Sequence, residues 1–420
     1  MKALLPLHGV VQHYAWGGTR YIPKLLGMPD GGDRPCAELW LGAHPSASSE
    51  VEVQGMRRTL RDWIGADRAG QLGPDVARMF GGELPFLFKV LDARDMLSIQ
   101  VHPDRQQAEA GYAREEKAGI PLEAKHRNYR DRNPKPEVHV ALTPFWMLHG
   151  FRPLEEVAME SKRHPELEQA WPDLESRLAR CADKTARGRL LQEVYEGVMR
   201  LPQGEVDRIL GPILERAGAS AIPDRSDCLF WVRRAAETFA RPDGSRDRGL
   251  FSLWLLNLVA LEPGQSTFQD AGVPHAYLEG VTVELMAGSD NVLRGGLTPK
   301  HVDVDELLRV VRFVEGRPVV SAGVAAAAGE TVYPTIAAEF ELSRLELAPG
   351  GEREWRSDVG PECLLVMEGS VVASAGGLEQ ACGRGRSLWV PWDIQCKLCA
   401  NGAEPAVVYR ARMPSASTVR

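Results

Sequence analysis

Gln100, His102, Glu137 and His275 are the residues of this 420-residue chain whose types could together hold a divalent metal ion. Gln100 and His102 lie in Leu97-Ser98-Ile99-Gln100-Val101-His102-Pro103. Successive side chains of a strand point to opposite faces, so Leu97, Ile99 and Val101 make an apolar face and Ser98, Gln100 and His102 a polar one. Three polar groups on one face of a strand that otherwise reads as buried need a partner, and either a metal ion or a hydrogen-bonded core answers that need. Glu137 lies in Pro134-Lys135-Pro136-Glu137-Val138-His139-Val140, where two prolines fix the approach of the chain. Glu137 and His139 share the face opposite Val138 and Val140. His275 follows Pro274 at the start of a strand in which Thr282 and Glu284 alternate with Val281, Val283 and Leu285. Arg294 stands beside Gly295 and Gly296, where backbone can come close to a ligand. One amide oxygen, one carboxylate and two imidazoles form a nitrogen–oxygen set suited to Zn²⁺, with iron, manganese or cobalt as substitutes. No cysteine joins the set, and a position left open for water or substrate favours catalysis over a structural role.

Strands must position most of these residues. Residues 1–100 read as short strands separated by the turn signals Gly17-Gly18, residues 29–32 and Gly81-Gly82. Asp104 can cap a helix through Ala108 to Lys117 that Gly119 ends, and strand pattern returns over residues 137–142. Residues 153–241 are charged, carry apolar residues at spacings of three and four, and hold no chemical motif, so they read as a helical insertion. Pro165, Pro202 and Pro212 mark helix boundaries or first turns there. Strand pattern resumes at Leu253 and runs to about Leu297. A helix over residues 304–314, capped by Asp303, follows. Residues 335–420 look all-β. Leu261-Glu262-Pro263-Gly264 and Leu347-Ala348-Pro349-Gly350 echo each other at strand ends, as two related β-barrels would.

Composition bounds the partners. The chain carries 44% hydrophobic and 25% charged residues, as ordinary globular proteins do. Its 41 glycines and 29 prolines favour a fold with many turns. A net charge of −7 argues against a general nucleic-acid or anionic-membrane binder, so an anionic ligand must meet a local basic cluster. Seven cysteines at irregular spacing do not suggest a disulfide framework. Cys396 and Cys399 read as ordinary reduced thiols. The longest apolar run, residues 253–261, is interrupted by Asn257 and is far shorter than the ~18 residues of a membrane span. A reduced, cytoplasmic protein is the expectation.

Several motifs then point one way. Ser98–Pro103, Lys135-Pro136-Glu137, Pro274-His275-Ala276-Tyr277 and Ser289–Lys300 resemble the type I mannose-6-phosphate isomerases. Tyr14-Ala15-Trp16-Gly17, Ala37–Pro45, Leu84–Leu91 and Asn128-Tyr129-Arg130-Asp131 fit the same family. The likeness is close over residues ~10–150 and ~250–315, weak in the helical part and faint after 330. It implies a mainly β fold with a helical insertion, built on cupin (jelly-roll) barrels. A discontinuous catalytic cupin would take residues 1–150 and 251–325, the helical insertion 151–250, and a C-terminal cupin-like domain 326–420. His301 is the last histidine, so that second domain would be free of imidazole-bound metal.

The resemblance also assigns roles. It makes Gln100, His102, Glu137 and His275 the ligands of one Zn²⁺. Arg294 matches the active-site arginine, and Glu284, Lys135 and Tyr277 match pocket residues. Lys89, Ser98 and Lys300 match positions associated with a substrate phosphate, and Trp16 and Glu38 residues near the sugar cleft. The implied reaction interconverts mannose 6-phosphate and fructose 6-phosphate through a cis-enediol, with Glu284 or Lys135 as the base. The partner would be a small phosphosugar, with neither nucleic acid nor membrane involved, and the chain a monomer unless it associates through its β surfaces. Two departures stand out. Pro134 replaces the usual histidine before Lys-Pro-Glu, and His139 replaces an apolar residue. His139 would sit near the metal or pack as a strand histidine. A sugar-phosphate-binding bicupin without turnover, and an Fe(II) oxygenase on the same barrel, are the rival readings. Turnover and metal content separate them.

Overall fold

The computed structural model describes residues 3–28, 34–219, 224–327 and 329–415. The turn expected at residues 29–32 lies outside them. Most of the regular structure is strand, in sheets of nine, ten and four strands, with the longer helices concentrated between Leu154 and Thr238.

The ten-stranded sheet is organised by one long strand, His275–Ala287. Residues 275–279 pair with Phe145–Phe151, and His275 also faces Gln100. Residues 280–287 pair with Phe86–Ala93 on one side and Glu137–Ala141 on the other. The change of partners falls at Gly280, which has φ +124°. A Cβ there would lie 2.6 Å from the Pro144 carbonyl oxygen. The register against Phe145–Phe151 slips between Tyr277 and Glu279. That slip matters because His275 and Tyr277 have the opposite parity to Glu284, and an unbroken strand would aim them at opposite faces. Here the Tyr277 hydroxyl donates to Glu284 Oε1 at 2.6 Å, so both sides of the bend serve one cavity.

Strand pairing then lines polar groups up in rows. Trp40, Lys89, Glu284, His139 and Thr267 are direct neighbours across five strands. Met286, Glu137 and Gln269 make the next row. Arg294, Gln100, His275 and His149 make a third. The alternate residues Phe88, Val90, Val138, Val140, Val281, Val283 and Leu285 turn the other way. They share one core with Phe340, Leu342, Cys363, Leu365, Trp389 and Tyr409. The nine-stranded sheet on that side takes strands from both ends of the chain, since Leu5–His8 pairs with Ser387–Val390.

The helical segment packs on the remaining flank. Leu191, Tyr195, Trp231 and Trp254 share a core with Ile99, Val101, Leu278 and Leu293. The helix at Arg105–Lys117 is capped by Asp104 with a reciprocal bond from Gln107, and Gly119 follows at φ +70°. The two Pro-Gly turns are alike: Gly264 and Gly350 have φ +89° and +69°, and each follows a strand ending at Leu261 or Leu347.

Other local expectations are corrected. The helix after Asp303 stops at Val310, because Arg312 donates its backbone N–H to Gly272 instead. Residues 253–255 are helical, continuing a turn that Asp247 caps, and the strand starts at Leu256. Pro212 lies inside the helix Gln203–Ala219 rather than at its start. Leu97 parts from Ile99 and Val101: it precedes the short strand Gln100–Val101, where alternation does not apply, and lines the cavity.

Gly280→Val should therefore cost about 2 kcal/mol or more, from the strained φ and the collision with Pro144. Chemical denaturation checks this, and metal binding should fall with it as the two halves of the strand lose their shared cavity.

Candidate metal centre and adjoining cavity

His102 and His275 are held in the same manner from different loops. His102 Nδ1 is 2.8 Å from the Asn291 carbonyl oxygen and His275 Nδ1 is 3.0 Å from that of Val273. A ring nitrogen facing a carbonyl carries the proton, which leaves each Nε2 with a free lone pair. Each Nε2 points at Glu137: His102 lies 3.4 Å from Oε1 and His275 3.4 Å from Oε2. His102 Nε2 is buried without a hydrogen-bond partner. Neighbouring ligand atoms on a tetrahedral zinc with ~2.05 Å bonds stand about 3.3 Å apart, close to the distance of each imidazole from the carboxylate. Among the described residues these three form the one cluster of histidine, cysteine and acidic side chains able to hold a metal. Gln100 adjoins them, directly opposite both His275 and Arg294.

Electrostatics agree with the geometry. Burial drives the His102 imidazole down to about 4, with Lys135 adding to the effect, so the ring is neutral and able to coordinate. Burial opposes ionisation of Glu137, but the Lys135 ammonium beside it favours the charged form, and the carboxyl is held well below its usual range. Lys135 Nζ lies 3.1 Å from Glu137 Oε1.

The cluster opens on a cavity of about 790 Å³. Trp16, Glu38, Lys89, Ser98, Gln100, Lys135, Glu137, His275, Tyr277, Glu284, Arg294 and Lys300 all line it, and His102 sits behind Glu137. All thirteen residues singled out in the sequence therefore converge. Lys89 is buried between Glu284 Oε2 at 3.0 Å and Glu38 Oε1 at 3.4 Å. Burial works against its charge, yet the two carboxylates raise its pKa. Tyr277 is pushed up by burial and by Glu284, so it stays a phenol. Arg294 and Lys300 differ from Lys89 in having no carboxylate against them among the described residues. Burial lowers the pKa of both, and Arg130 lowers both further; Arg294 also acts on Lys300. Two cations of the cavity wall, each further disfavoured by Arg130, would be relieved by an anion beside them. His139 is not in the metal cluster. Its Nδ1 meets Gln269 at 3.0 Å and its Nε2 meets Thr267 at 2.9 Å.

Comparison with known proteins decides the family. Residues 4–154 match the model of the phosphomannose isomerase type I catalytic domain. The chain is 43% identical over 315 residues to the mannose-6-phosphate isomerase of Escherichia coli, covering 73% of this chain and 74% of that one. This chain belongs to the mannose-6-phosphate isomerase family. The enzyme of Bos taurus is 34% identical over 98% of both chains. The Salmonella typhimurium enzyme, solved with its substrate F6P and zinc, superposes with a TM-score of 0.84 at 33% identity, covering 98% of this chain and 100% of that one.

Some of the machinery lies in residues the sequence reading passed over. Asn291 is fully buried and donates to Asp131 and Asn133, while its Oδ1 accepts the backbone N–H groups of Arg130 and Asp131. Its carbonyl is the one that orients His102. The family motifs around Asn128–Asp131 and Ser289–Asn291 thus form a buckle behind a metal ligand. Their separation in sequence hid the pairing. Gln269 and Trp40, which bond His139 and Glu38, were also missed; both lie on strands beside singled-out residues.

Asn291→Ala keeps the carbonyl but removes the side-chain bonds that hold it in place, and should weaken divalent-metal affinity about 10- to 100-fold. Competition against a chelator of known affinity measures it.

Proposed function

We infer that this chain interconverts mannose 6-phosphate and fructose 6-phosphate with one Zn²⁺ as cofactor. The observation that carries the reading is the buried His102–Glu137–His275 cluster at the floor of a cavity whose rim bears unpaired cations. Gln100, His102, Glu137 and His275 would hold the ion. Bound there, zinc supplies Lewis acidity that polarises the sugar's carbonyl and hydroxyl oxygens near C1 and C2.

The chain's own residues do the rest. Arg294 and Lys300, with the Ser98 hydroxyl, receive the phosphate dianion. Anchoring that end orients C1 and C2 over the cluster. Arg294 also adds fixed positive charge beside oxyanion density as the cis-enediol forms. The proton passes between the two carbons on Glu284 or Lys135. Lys89 and the Tyr277 hydroxyl clamp Glu284 from its two oxygens, which fixes its direction. His139, holding Gln269, supports Tyr277 from behind, since Gln269 Nε2 donates to the Tyr277 hydroxyl at 3.4 Å. Trp16 and Glu38 border the sugar.

We read the architecture as two cupin-like barrels with a helical insertion, divided at about residues 151–250 and 326. The matching Pro-Gly turns support a shared origin. In the part we read as the second barrel, Arg410, 1% exposed, contacts Glu330 at 2.5 Å. Seven free cysteines suit a reducing cytoplasm. No helix among the described residues is long and apolar enough to cross a membrane.

Exhaustive chelation should abolish fructose 6-phosphate formation, and zinc add-back should restore it. His102→Ala or His275→Ala should eliminate both bound zinc and turnover. Arg294→Ala should retain zinc by elemental analysis while kcat/KM drops about 100-fold or more. Parallel loss of zinc would contradict the assigned role.

A further inference from the structure

The loop that carries the cavity's unpaired cations is packed at Leu297 but borders open space at Thr298–Lys300. Arg294 and Lys300 bracket Gly295-Gly296-Leu297-Thr298-Pro299. Thr298, Pro299 and Lys300 line the catalytic cavity on one side and a second cavity of about 700 Å³ on the other. The loop is a thin partition between two spaces, so packing alone does not fix Lys300. Its path is also unusual: Leu297 is fully buried yet has φ +52°, and Gly296 has φ +111°. A side-chain-bearing residue takes that conformation only when its surroundings impose it.

Backbone bonds with Ile99 hold the loop at Gly295 and Gly296, and one side chain holds the turn that follows. Asp247, from the helical segment, is 4% exposed. Its Oδ1 accepts the backbone N–H of Leu297 at 2.9 Å and of Gly249 at 2.7 Å. Its Oδ2 accepts the N–H of Thr298 at 3.4 Å and Nη2 of Arg241 at 3.0 Å. The two backbones meet so closely that a Cβ on Gly249 would fall 2.5 Å from the Leu297 nitrogen. A buried carboxylate with four N–H donors is a rigid fastening, since each lost bond would leave a buried polar group unsatisfied.

We propose that Asp247 is a positioning residue that sets the affinity for the substrate's phosphate by fastening the Arg294–Lys300 loop to the helical segment. It touches neither the metal cluster nor the reacting carbons, so its effect should appear in binding of the anionic end and not in the chemical step. This rests on the isomerase reading for the identity of the anion's carrier, while the fastening itself requires only that the loop bind phosphate.

The test uses zinc-loaded Asp247→Asn, which keeps the size but replaces one acceptor oxygen by a donor. KM for mannose 6-phosphate should rise at least 10-fold with kcat within about threefold and zinc content unchanged. The dissociation constant for inorganic phosphate, measured by calorimetry without turnover, should rise in the same ratio. Gly249→Ala, which pushes the same loop away from Asp247, should give the same pattern and carries the test if Asp247→Asn fails to fold. Unchanged phosphate affinity in a folded variant overturns the proposal, as does a fall in kcat and zinc content with KM unaltered. A wild-type protein that binds phosphate but does not turn over mannose 6-phosphate would overturn the isomerase reading alone.

Discussion

A carboxylate buried between two imidazoles is the constraint around which this molecule is arranged. Glu137 is 3% exposed, and taking a carboxylate out of water costs several kcal/mol unless positive charge meets it. Lys135 supplies part of that compensation, and the two Nε2 atoms facing Glu137 can share a cation that completes it. Both imidazoles are oriented from behind by backbone carbonyls, so their lone pairs are aimed before any ion arrives. The sheet, the loops at Asn291 and Val273, and the bend at Gly280 can each be understood as what it takes to hold these three side chains at that spacing.

Charge sorts the cavity into two ends. Lys89 is neutralised by Glu38 and Glu284. Arg294 and Lys300 are left to a ligand. A substrate with a phosphate at one end and an acidic C–H at the other fits that division, because the anion compensates the unpaired cations while the buried hydrogen-bonded network stays intact. The helical segment contributes Thr238 and Phe239 to the wall and Asp247 to the loop, so it is part of the site despite having no chemical motif of its own.

How much of this could be read from residues alone depended on the period of each element. Alternation identified Glu137 against Val138, and Glu284 against Val283 and Leu285, because those strands are regular and bury one face against a large core. It also put Leu97 with Ile99 and Val101, which fails because the regular strand is only Gln100–Val101. The convergence of Tyr277 with Glu284 could not be derived from alternation, since it requires a register slip between Tyr277 and Glu279 that pattern does not reveal. His139 posed the opposite difficulty. Its face was right, but whether its nitrogens met a metal or a neighbour depended on Gln269 and Thr267 across the sheet. The Asn291 buckle and the Asp247 fastening were invisible because each joins segments far apart in the chain through backbone groups, which carry no sequence signature.

The central claim is that the imidazoles of His102 and His275 and the carboxylate of Glu137 surround a single zinc ion, with Gln100 beside them. Anomalous diffraction at the zinc absorption edge, from crystals of the zinc-loaded protein, tests it most directly. The account predicts one strong peak within about 2.3 Å of both Nε2 atoms and a Glu137 oxygen. A peak elsewhere, or none at that position in fully loaded crystals, would contradict it.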